Sequence, residues 1–227
     1  MLNRIAAVAT LGLAAGLAHG QIVFQDYFDG NTNANLSTQM FASFATTNFA
    51  FWPIGTGGDM SEGYFSVVNR ANDVHSQFSV SYDADNNPQG SYAAFNGFQN
   101  TSGDAYSVHI LGLTVGQTYS LSAMLLTLAG DPPYADQTFL RFAQNGNALG
   151  SDITLVPVPY GSETWAGYSR DFVATGDDTL TIHTIGSGSL SGNDFGLDNV
   201  IVQLVPTPGA SALLGVGILA SSRRRRV

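Results

Sequence analysis

The sequence contains no cysteine and no lysine. Without cysteine, the chain has no disulfide bond, no thiolate zinc site and no cysteine nucleophile. Without lysine, it has neither the lysine of a phosphate-binding loop nor a Schiff-base lysine, and nucleotide hydrolysis of the usual loop type is excluded. Glutamate is scarce as well, since Glu62 and Glu163 are the only two in the chain.

Positive charge is confined almost entirely to the two ends of the chain. All eight basic residues are arginines, and only Arg70, Arg141 and Arg170 lie between the ends. These three arginines and the 17 acidic residues give the middle of the chain a formal charge of −14. A field of that sign repels phosphate backbones, so nucleic acid is not expected as a partner.

Residues 1–20 have the organisation of a signal peptide. Arg4 lies in a short polar start, an apolar run follows over residues 5–17, and Ala18 and Gly20 are small residues at the positions that a signal peptidase inspects. The run is too short to span a membrane and is followed by polar, turn-rich sequence. We therefore expect export, with cleavage leaving Gln21 first.

Residues 206–227 form a second tripartite segment. Pro206, Thr207 and Pro208 precede an apolar stretch at residues 210–220, and Arg223, Arg224, Arg225 and Arg226 follow it. This order resembles the PEP-CTERM sorting signal of Gram-negative bacteria, which an exosortase processes. The usual glutamate of that motif is Thr207 here. The resemblance implies transient anchoring in the inner membrane, whereas an ordinary short tail anchor is the alternative, and the positive-inside rule places the arginines in the cytoplasm.

The body between these segments, residues 21–205, is long enough for one well-buried core. Residues 74–80, 118–126 and 179–185 show the alternation of apolar and polar side chains that is typical of β-strands. Turn-forming clusters rich in glycine, asparagine and aspartate separate them, and no stretch has a sustained helical period. The pattern predicts a single domain built as an antiparallel β-sandwich.

The last third of the body resembles the galactose-binding-like jelly rolls, which include many carbohydrate-binding modules. The similarity rests on Trp165, on residues 172–176 (FVATG), on the strand that follows, and on residues 195–200 (FGLDNV). Residues 28–31 (FDGN) match the opening of such domains, and residues 113–119 match the entry to a middle strand. The resemblance implies a jelly-roll fold, which hosts many unrelated functions.

Asp29 and Asp198 are candidate calcium ligands. Strict alternation places Asp198 on the same face as Val200 and Val202, where an unpaired buried carboxylate is costly. In such jelly rolls the first and last strands are adjacent, so Asp29 and Asp198 could share a structural calcium ion with backbone carbonyl oxygens. The alternative is a β-bulge that turns Asp198 outward.

Aromatic side chains beside turns are the candidate glycan-binding groups. Trp52, Tyr134 and Tyr160 each adjoin proline or glycine, where a flat ring can stack on a sugar. Core packing is the competing interpretation of these rings, and it is the preferred one for Trp165.

Signals for catalysis are weak. His75, His109 and His183 are widely separated, fall on the polar faces of predicted strands and lack the spacing of a metal site. The sequence has no Gly-x-Ser-x-Gly motif, and its two glutamates lack the short spacing of jelly-roll glucanases. The prediction is an exported, cell-envelope-associated, non-enzymatic protein that binds extracellular polysaccharide or belongs to an extracellular matrix. A purely structural surface protein and an extracellular glycan hydrolase or lyase are the alternatives.

The two ends generate a prediction about processing. We expect the native product to begin at Gln21 and to end near Pro206, because both flanking segments have the organisation of sorting signals. The cut near Pro206 follows a transient stay in the inner membrane. Intact-mass analysis of the surface product measures both ends. A product that still carries Arg223 to Arg226 would show that the tail is an uncut anchor.

Overall fold

The computed structural model describes residues 20–28, 45–53, 57–98, 101–128, 137–186 and 193–206. These residues form thirteen β-strands and one short 3-10 turn, Ala71–Asp73. The strands are β1 Ile22–Asp26, β2 Ala45–Thr46, β3 Ala50–Phe51, β4 Tyr64–Val68, β5 Tyr92–Asn96, β6 Gly103–Ile110, β7 Thr118–Thr127, β8 Thr138–Gln144, β9 Asn147–Ala148, β10 Ile153–Leu155, β11 Ala166–Val173, β12 Asp178–Ile185 and β13 Phe195–Leu204.

The strands form two sheets. The seven-stranded sheet has the order β11-β7-β13-β5-β4-β3, and β1 also pairs with β13. The six-stranded sheet has the order β10-β8-β12-β6-β2, with β9 in a hairpin on β8. Every pair is antiparallel except β3 with β4. The predicted fold, an all-β antiparallel sandwich of the jelly-roll type, is confirmed.

The space between the two sheets holds the main hydrophobic core. Alternate residues of each strand point into it, as the period of two in a β-strand requires. On β7 these are Leu121, Ala123 and Leu125, and on β12 they are Leu180 and Ile182. The predicted strands at 118–126 and 179–185 are confirmed by β7 and β12.

A second core covers the outer face of the seven-stranded sheet. Val68, Tyr92, Ala94 and Leu126 point outward from that sheet and are fully buried or nearly so, because irregular segments pack over them. These segments contribute apolar side chains to the same cluster, namely Met60, Ala71, Val74, Phe78 and Leu128. Around β4, β5 and the start of β13, the seven-stranded sheet is therefore buried on both faces, whereas β11 is largely exposed.

The strand predicted at residues 74–80 is wrong. The 3-10 turn ends just before this stretch, and turns and irregular backbone follow over residues 74–80. Val74 and Phe78 are buried in the second core, whereas Val80 is exposed. An irregular segment lying on a sheet also needs apolar side chains at intervals, and here the interval imitates the alternation of a strand.

Tyr92 and Trp165 hold the covering segment on the sheet. The Tyr92 hydroxyl donates to the Ser81 carbonyl at 3.1 Å and accepts from the Ala71 N–H at 3.0 Å. The Trp165 indole N–H donates to the Tyr82 carbonyl at 2.8 Å. Both rings lie over Gly196, where an added Cβ would come within 3.0 Å of the Trp165 ring. Trp165 thus packs in a core, as preferred from the sequence.

The predicted signal peptide and the sorting segment, apart from Gly20 and Pro206, lie outside the described residues. Within the described part of the chain, no helix has the length and apolar character needed to cross a membrane.

The buried carboxyl group of Asp194 generates a prediction about pH. Asp194 precedes β13 and accepts the Gly97 N–H at 3.0 Å. Burial raises its pKa to about 7, from 3.8, against the opposing effect of the Gly97 hydrogen bond. The folded protein therefore holds this proton more tightly than the unfolded chain. The resulting stabilisation is complete below about pH 4 and is lost as the pH rises through 7.

We expect Asp194→Asn to become progressively more stable than the wild type between pH 4 and 7, because the amide carries no charge. The difference should grow by at most about 1.4 kcal/mol per pH unit. Thermal unfolding across this pH range measures it. Asp73→Asn, at an exposed position, is the control. A difference that does not depend on pH would contradict the raised pKa.

Candidate functional site

The outer face of the six-stranded sheet is polar and open to solvent. On β12, Thr179, Thr181 and His183 alternate with the core residues Leu180 and Ile182 and therefore point away from the core. Neighbouring strands add Asp104 and Ser107 from β6, and Arg141 and Ala143 from β8.

These side chains line a groove with a volume of about 470 Å³. Ala143 has a small side chain and Gly146 has none, so both leave space in the lining of the groove. Asn145 belongs to one rim. Asn145 and Gly146 both have positive φ, at 50° and 79°, in the tight turn between β8 and β9. This turn is the Asn-Gly type that a two-residue hairpin favours.

Arg141 and Asp152 form an ion pair in which the guanidinium donates twice to the carboxylate. Arg141 Nε lies 2.7 Å from Asp152 Oδ1, and Nη2 lies 2.9 Å from Oδ2. This pair lowers the pKa of the Asp152 carboxyl and raises the pKa of the Arg141 guanidinium, so both remain charged at neutral pH. Nη1 of Arg141 has no hydrogen-bond partner among the described residues, and it can donate to a ligand.

His183 and Asp104 form a second pair at the groove. His183 Nδ1 lies 2.7 Å from Asp104 Oδ1, across the β12–β6 ladder. The hydrogen bond orients the imidazole and leaves Nε2 without a partner in the part of the chain that the structure describes. The hydroxyls of Ser107 and Thr181 lie 3.4 Å apart in the same lining.

Asp178 fixes the rim of the groove. Its carboxylate accepts hydrogen bonds from Thr175, from Gln144 Nε2 at 2.9 Å and from Asn145 Nδ2 at 2.8 Å. Burial alone would raise the pKa of Asp178, but these hydrogen bonds outweigh it and hold the pKa below its usual value. Asp178 is thus a charged anchor for the Asn145 turn.

Asp198 is buried, as the sequence predicts, but on the opposite face. The pairing register shifts between Asp198 and Ile201, and Asn199 has a φ of 50°. Because this bulge inserts a residue, Leu197 and Val200 both reach the main core, and Asp198 faces the second core instead. A bulge is therefore present, yet it leaves Asp198 only 2% exposed.

Two backbone groups stabilise the Asp198 carboxylate. The Ala84 N–H donates to Oδ2 at 2.9 Å, and the Asn199 N–H donates to Oδ1 at 2.7 Å. These hydrogen bonds offset the desolvation of the charge without a cation. No group of three His, Asp or Glu side chains is arranged to hold a metal ion in the described residues, and Asp29 lies outside them. The predicted calcium site, which includes Asp29, remains untested.

Glu163 is a buried carboxylate of a different kind. It is 9% exposed, and neither carboxylate oxygen has a hydrogen-bond partner within the described ranges. An ionised carboxylate in this position carries a desolvation cost that nothing described offsets.

The structure places Trp52 and Tyr160 at opposite edges of the seven-stranded sheet. Trp52 follows β3 at one edge of the seven-stranded sheet, and its ring packs edge-on against Tyr64 at 5.5 Å. Tyr160 is exposed in the segment before β11, which is the other edge of the same sheet. Tyr134 lies outside the described residues. Neither Trp52 nor Tyr160 lines the groove.

Sequence reasoning missed Arg141, Thr181 and Asp104 as partners in one site. Alternation identifies Thr181 and His183 as outward residues, but their neighbours come from strands that are distant in the chain. The one available signal was Arg141 itself, since it is one of only three arginines in the body.

No protein-family model matches this sequence, and no curated protein matches it. Several solved structures are similar to it. The CBM22-1 xylan-binding domain from Paenibacillus barcinonensis is 11% identical, with a TM-score of 0.47, covering 83% of this chain and 97% of that domain. A family 35 carbohydrate-binding module from Clostridium thermocellum is 15% identical, with a TM-score of 0.31, covering 49% and 76%.

A third similar structure is the EclA C-terminal domain, described as a sugar-binding protein, at 21% identity and a TM-score of 0.38. The match covers 46% of this chain and 69% of that one. At these identities and overlaps, the similarity concerns the arrangement of strands alone.

Asp198 generates a prediction that separates hydrogen bonding from calcium binding. We expect Asp198→Ala to lower the free energy of unfolding by about 1–3 kcal/mol even in chelator, because two partly buried N–H groups lose their acceptor. Thermal unfolding with calcium and with chelator measures this. Bound calcium would add a further, chelator-sensitive stabilisation of the wild type, and identical wild-type curves in both buffers would contradict the calcium prediction.

Proposed function

We propose that this chain is an exported, cell-envelope-associated, non-catalytic protein that binds a neutral extracellular polysaccharide in the groove of the six-stranded sheet. The observation that carries the proposal is the groove itself. It is the polar face of a sheet whose other face is core, and it presents oriented donors and acceptors to solvent.

The chemistry of the groove suits the hydroxyl groups of sugars. Arg141 Nη1 and His183 Nε2 remain for a ligand, while Ser107, Thr179 and Thr181 supply hydroxyls that donate or accept. The volume of about 470 Å³ falls within the range of small-ligand sites. The small side chain of Ala143 leaves room for a ring to approach the sheet.

The charge of the groove favours a neutral glycan. Arg141 is paired with Asp152, and His183 is paired with Asp104, so the groove carries no excess of positive charge for a polyanion. The formal charge of −14 in the body acts in the same direction, because it repels anionic polymers.

The carboxylates of the groove favour binding over hydrolysis. A glycosidase needs one carboxylic acid that gives a proton and a second carboxylate that acts as base or nucleophile. Asp152 is a poor proton donor because Arg141 lowers its pKa. The Asp104 carboxylate is already hydrogen-bonded to Nδ1 of His183. A purely structural role and a glycan hydrolase or lyase remain the alternatives that the experiment below distinguishes.

Localisation follows from the sequence of the two ends. The signal-peptide organisation of residues 1–20 supports export, and residues 206–227 support transient anchoring in the inner membrane and processing by an exosortase-type enzyme.

We expect Arg141→Ala to weaken glycan retention at least about tenfold, because a hydrogen bond from a charged donor contributes about 1.5–3 kcal/mol and about 1.4 kcal/mol is tenfold. A neutral-glycan array followed by titration measures it. Arg70→Ala is the matched control, since Arg70 pairs with Asp73, is exposed to a similar extent (44% against 42% for Arg141) and lies outside the groove.

Further outcomes identify the alternatives. Weaker retention after Trp52→Ala, with Arg141→Ala unchanged, would move the site to the aromatic residues. Release of reducing ends would indicate an enzyme. Retention of no neutral glycan by the wild type, without turnover, would favour the structural role.

A further inference from the structure

Exposed aliphatic side chains are concentrated at one end of the sandwich. The described part of the chain has eight large hydrophobic residues that are exposed. Five of them lie at the end where β1 begins and β13 finishes, and we call this end the terminal pole: Ile22, Val23, Leu111, Val115 and Val173. The other three, Val80, Val156 and Tyr160, lie elsewhere.

Backbone hydrogen bonds bring the parts of the terminal pole together. The Leu204 N–H donates to the Gln21 carbonyl at 2.8 Å, and the Val205 N–H donates to the Thr118 carbonyl at 2.9 Å. Thr118 is paired with Val173 across the β7–β11 ladder. Both chain ends of the domain therefore lie beside the start of β7 and the end of β11.

The loop between β6 and β7 presents the most exposed of these side chains. Leu111 is 69% exposed and Val115 is 70% exposed. The loop is well anchored, since the Leu113 N–H donates to the Gly176 carbonyl at 2.8 Å and the Gly116 N–H donates to the Ala174 carbonyl at 2.9 Å. The two aliphatic side chains thus stand on a fixed loop in contact with water.

A groove of about 370 Å³ adjoins this loop. It is lined by Val23, Phe24, His109, Ile110 and Leu111, and His109 is the one ionisable group among them. The groove joins the β1 side of the terminal pole to the β6–β7 loop, so the apolar surface is continuous between them.

The C-terminal segment leaves the domain from the same pole. Pro206 follows the bond between Val205 and Thr118, and the apolar stretch begins at Ala210. Four residues of extended chain reach at most about 14 Å, at ~3.5 Å per residue. If residues 210–220 enter a bilayer, the terminal pole is therefore within that distance of its surface.

The apolar stretch is short for an anchor that acts alone. Its 11 residues, 210–220, would extend about 17 Å as a helix, against about 30 Å for the hydrocarbon core. A marginal anchor becomes stable when a second membrane contact acts with it. The exposed aliphatic residues of the terminal pole are placed to supply that contact.

We propose that the terminal pole is a membrane-docking surface, on which Leu111 and Val115 enter the headgroup region of the bilayer; this inference rests on the proposed anchoring of the C-terminal segment in that bilayer. The strands then rise away from the membrane, since β6 and β13 run between the terminal pole and the opposite end. The glycan groove lies on the outer face of the six-stranded sheet, with its Asn145 rim toward the terminal pole and with Asp104 and His183 toward the opposite end.

The absence of cysteine makes the test specific, because one introduced cysteine carries the only label. Val115→Cys and, as a control at the opposite end of β6, Thr101→Cys are labelled with an environment-sensitive fluorophore in the full-length chain. Each protein is reconstituted into vesicles of phosphatidylcholine with a minority of phosphatidylglycerol, with and without brominated acyl chains.

We expect the label at 115 to shift its emission to the blue and to be quenched by brominated lipid, whereas the label at 101 does neither. A label at 115 that behaves like the one at 101 overturns the proposal. A blue shift without quenching by lipid also overturns it, because the pole is then covered by the C-terminal segment or by a second copy.

A second measurement uses unlabelled protein. Leu111→Ser with Val115→Ser should reduce retention of the full-length chain on the same vesicles and leave neutral-glycan retention in solution unchanged. Unchanged retention on vesicles would contradict the proposal even if the glycan groove is confirmed.

Discussion

The part of the seven-stranded sheet around β4, β5 and the start of β13 must bury both of its faces, and the rest of the architecture depends on this constraint. Its central strand β13 sends Phe195 and Leu197 toward the six-stranded sheet and places Gly196 and Asp198 on the other side. A sheet with two apolar faces needs two covers. The second sheet is one, and the segments around Met60 and Phe78 are the other. The six-stranded sheet keeps its outer face for solvent, and the polar groove is found there.

The fold was predictable where strand pairing and side-chain alternation agree. β7 and β12 carry a regular pattern because one face of each is core. Residues 74–80 carry a similar pattern for another reason. Val74 and Phe78 fill gaps above Tyr92 and Ala94, and the backbone between them forms turns instead of a ladder. Periodicity reports which residues are buried, and it cannot distinguish a strand from an irregular cover.

The site was less predictable because it is assembled by long-range pairing. The outward placement of His109 and His183 on strands followed from alternation, but His75 lies outside any strand and stacks on Phe78 at 4.3 Å. His183 and Asp104 are 79 residues apart in the chain, and only the pairing of their strands brings them together. Asp198 shows most clearly why alternation alone was not enough. The single inserted residue Asn199 shifts the alternation of β13, so the residues before it face the side opposite to the one that strict alternation predicts.

The chain ends of the domain also determine how it would respond to a pulling force. If the tail is held in a membrane and a ligand is held in the groove, a pulling force is transmitted through the domain between β13 and the six-stranded sheet. The tail continues directly from β13, so the force acts along that strand. β13 is bonded to β7 on one side and to β5 and β1 on the other. These ladders would be loaded in shear, with many hydrogen bonds resisting together, whereas a pull across the strand would open them one at a time.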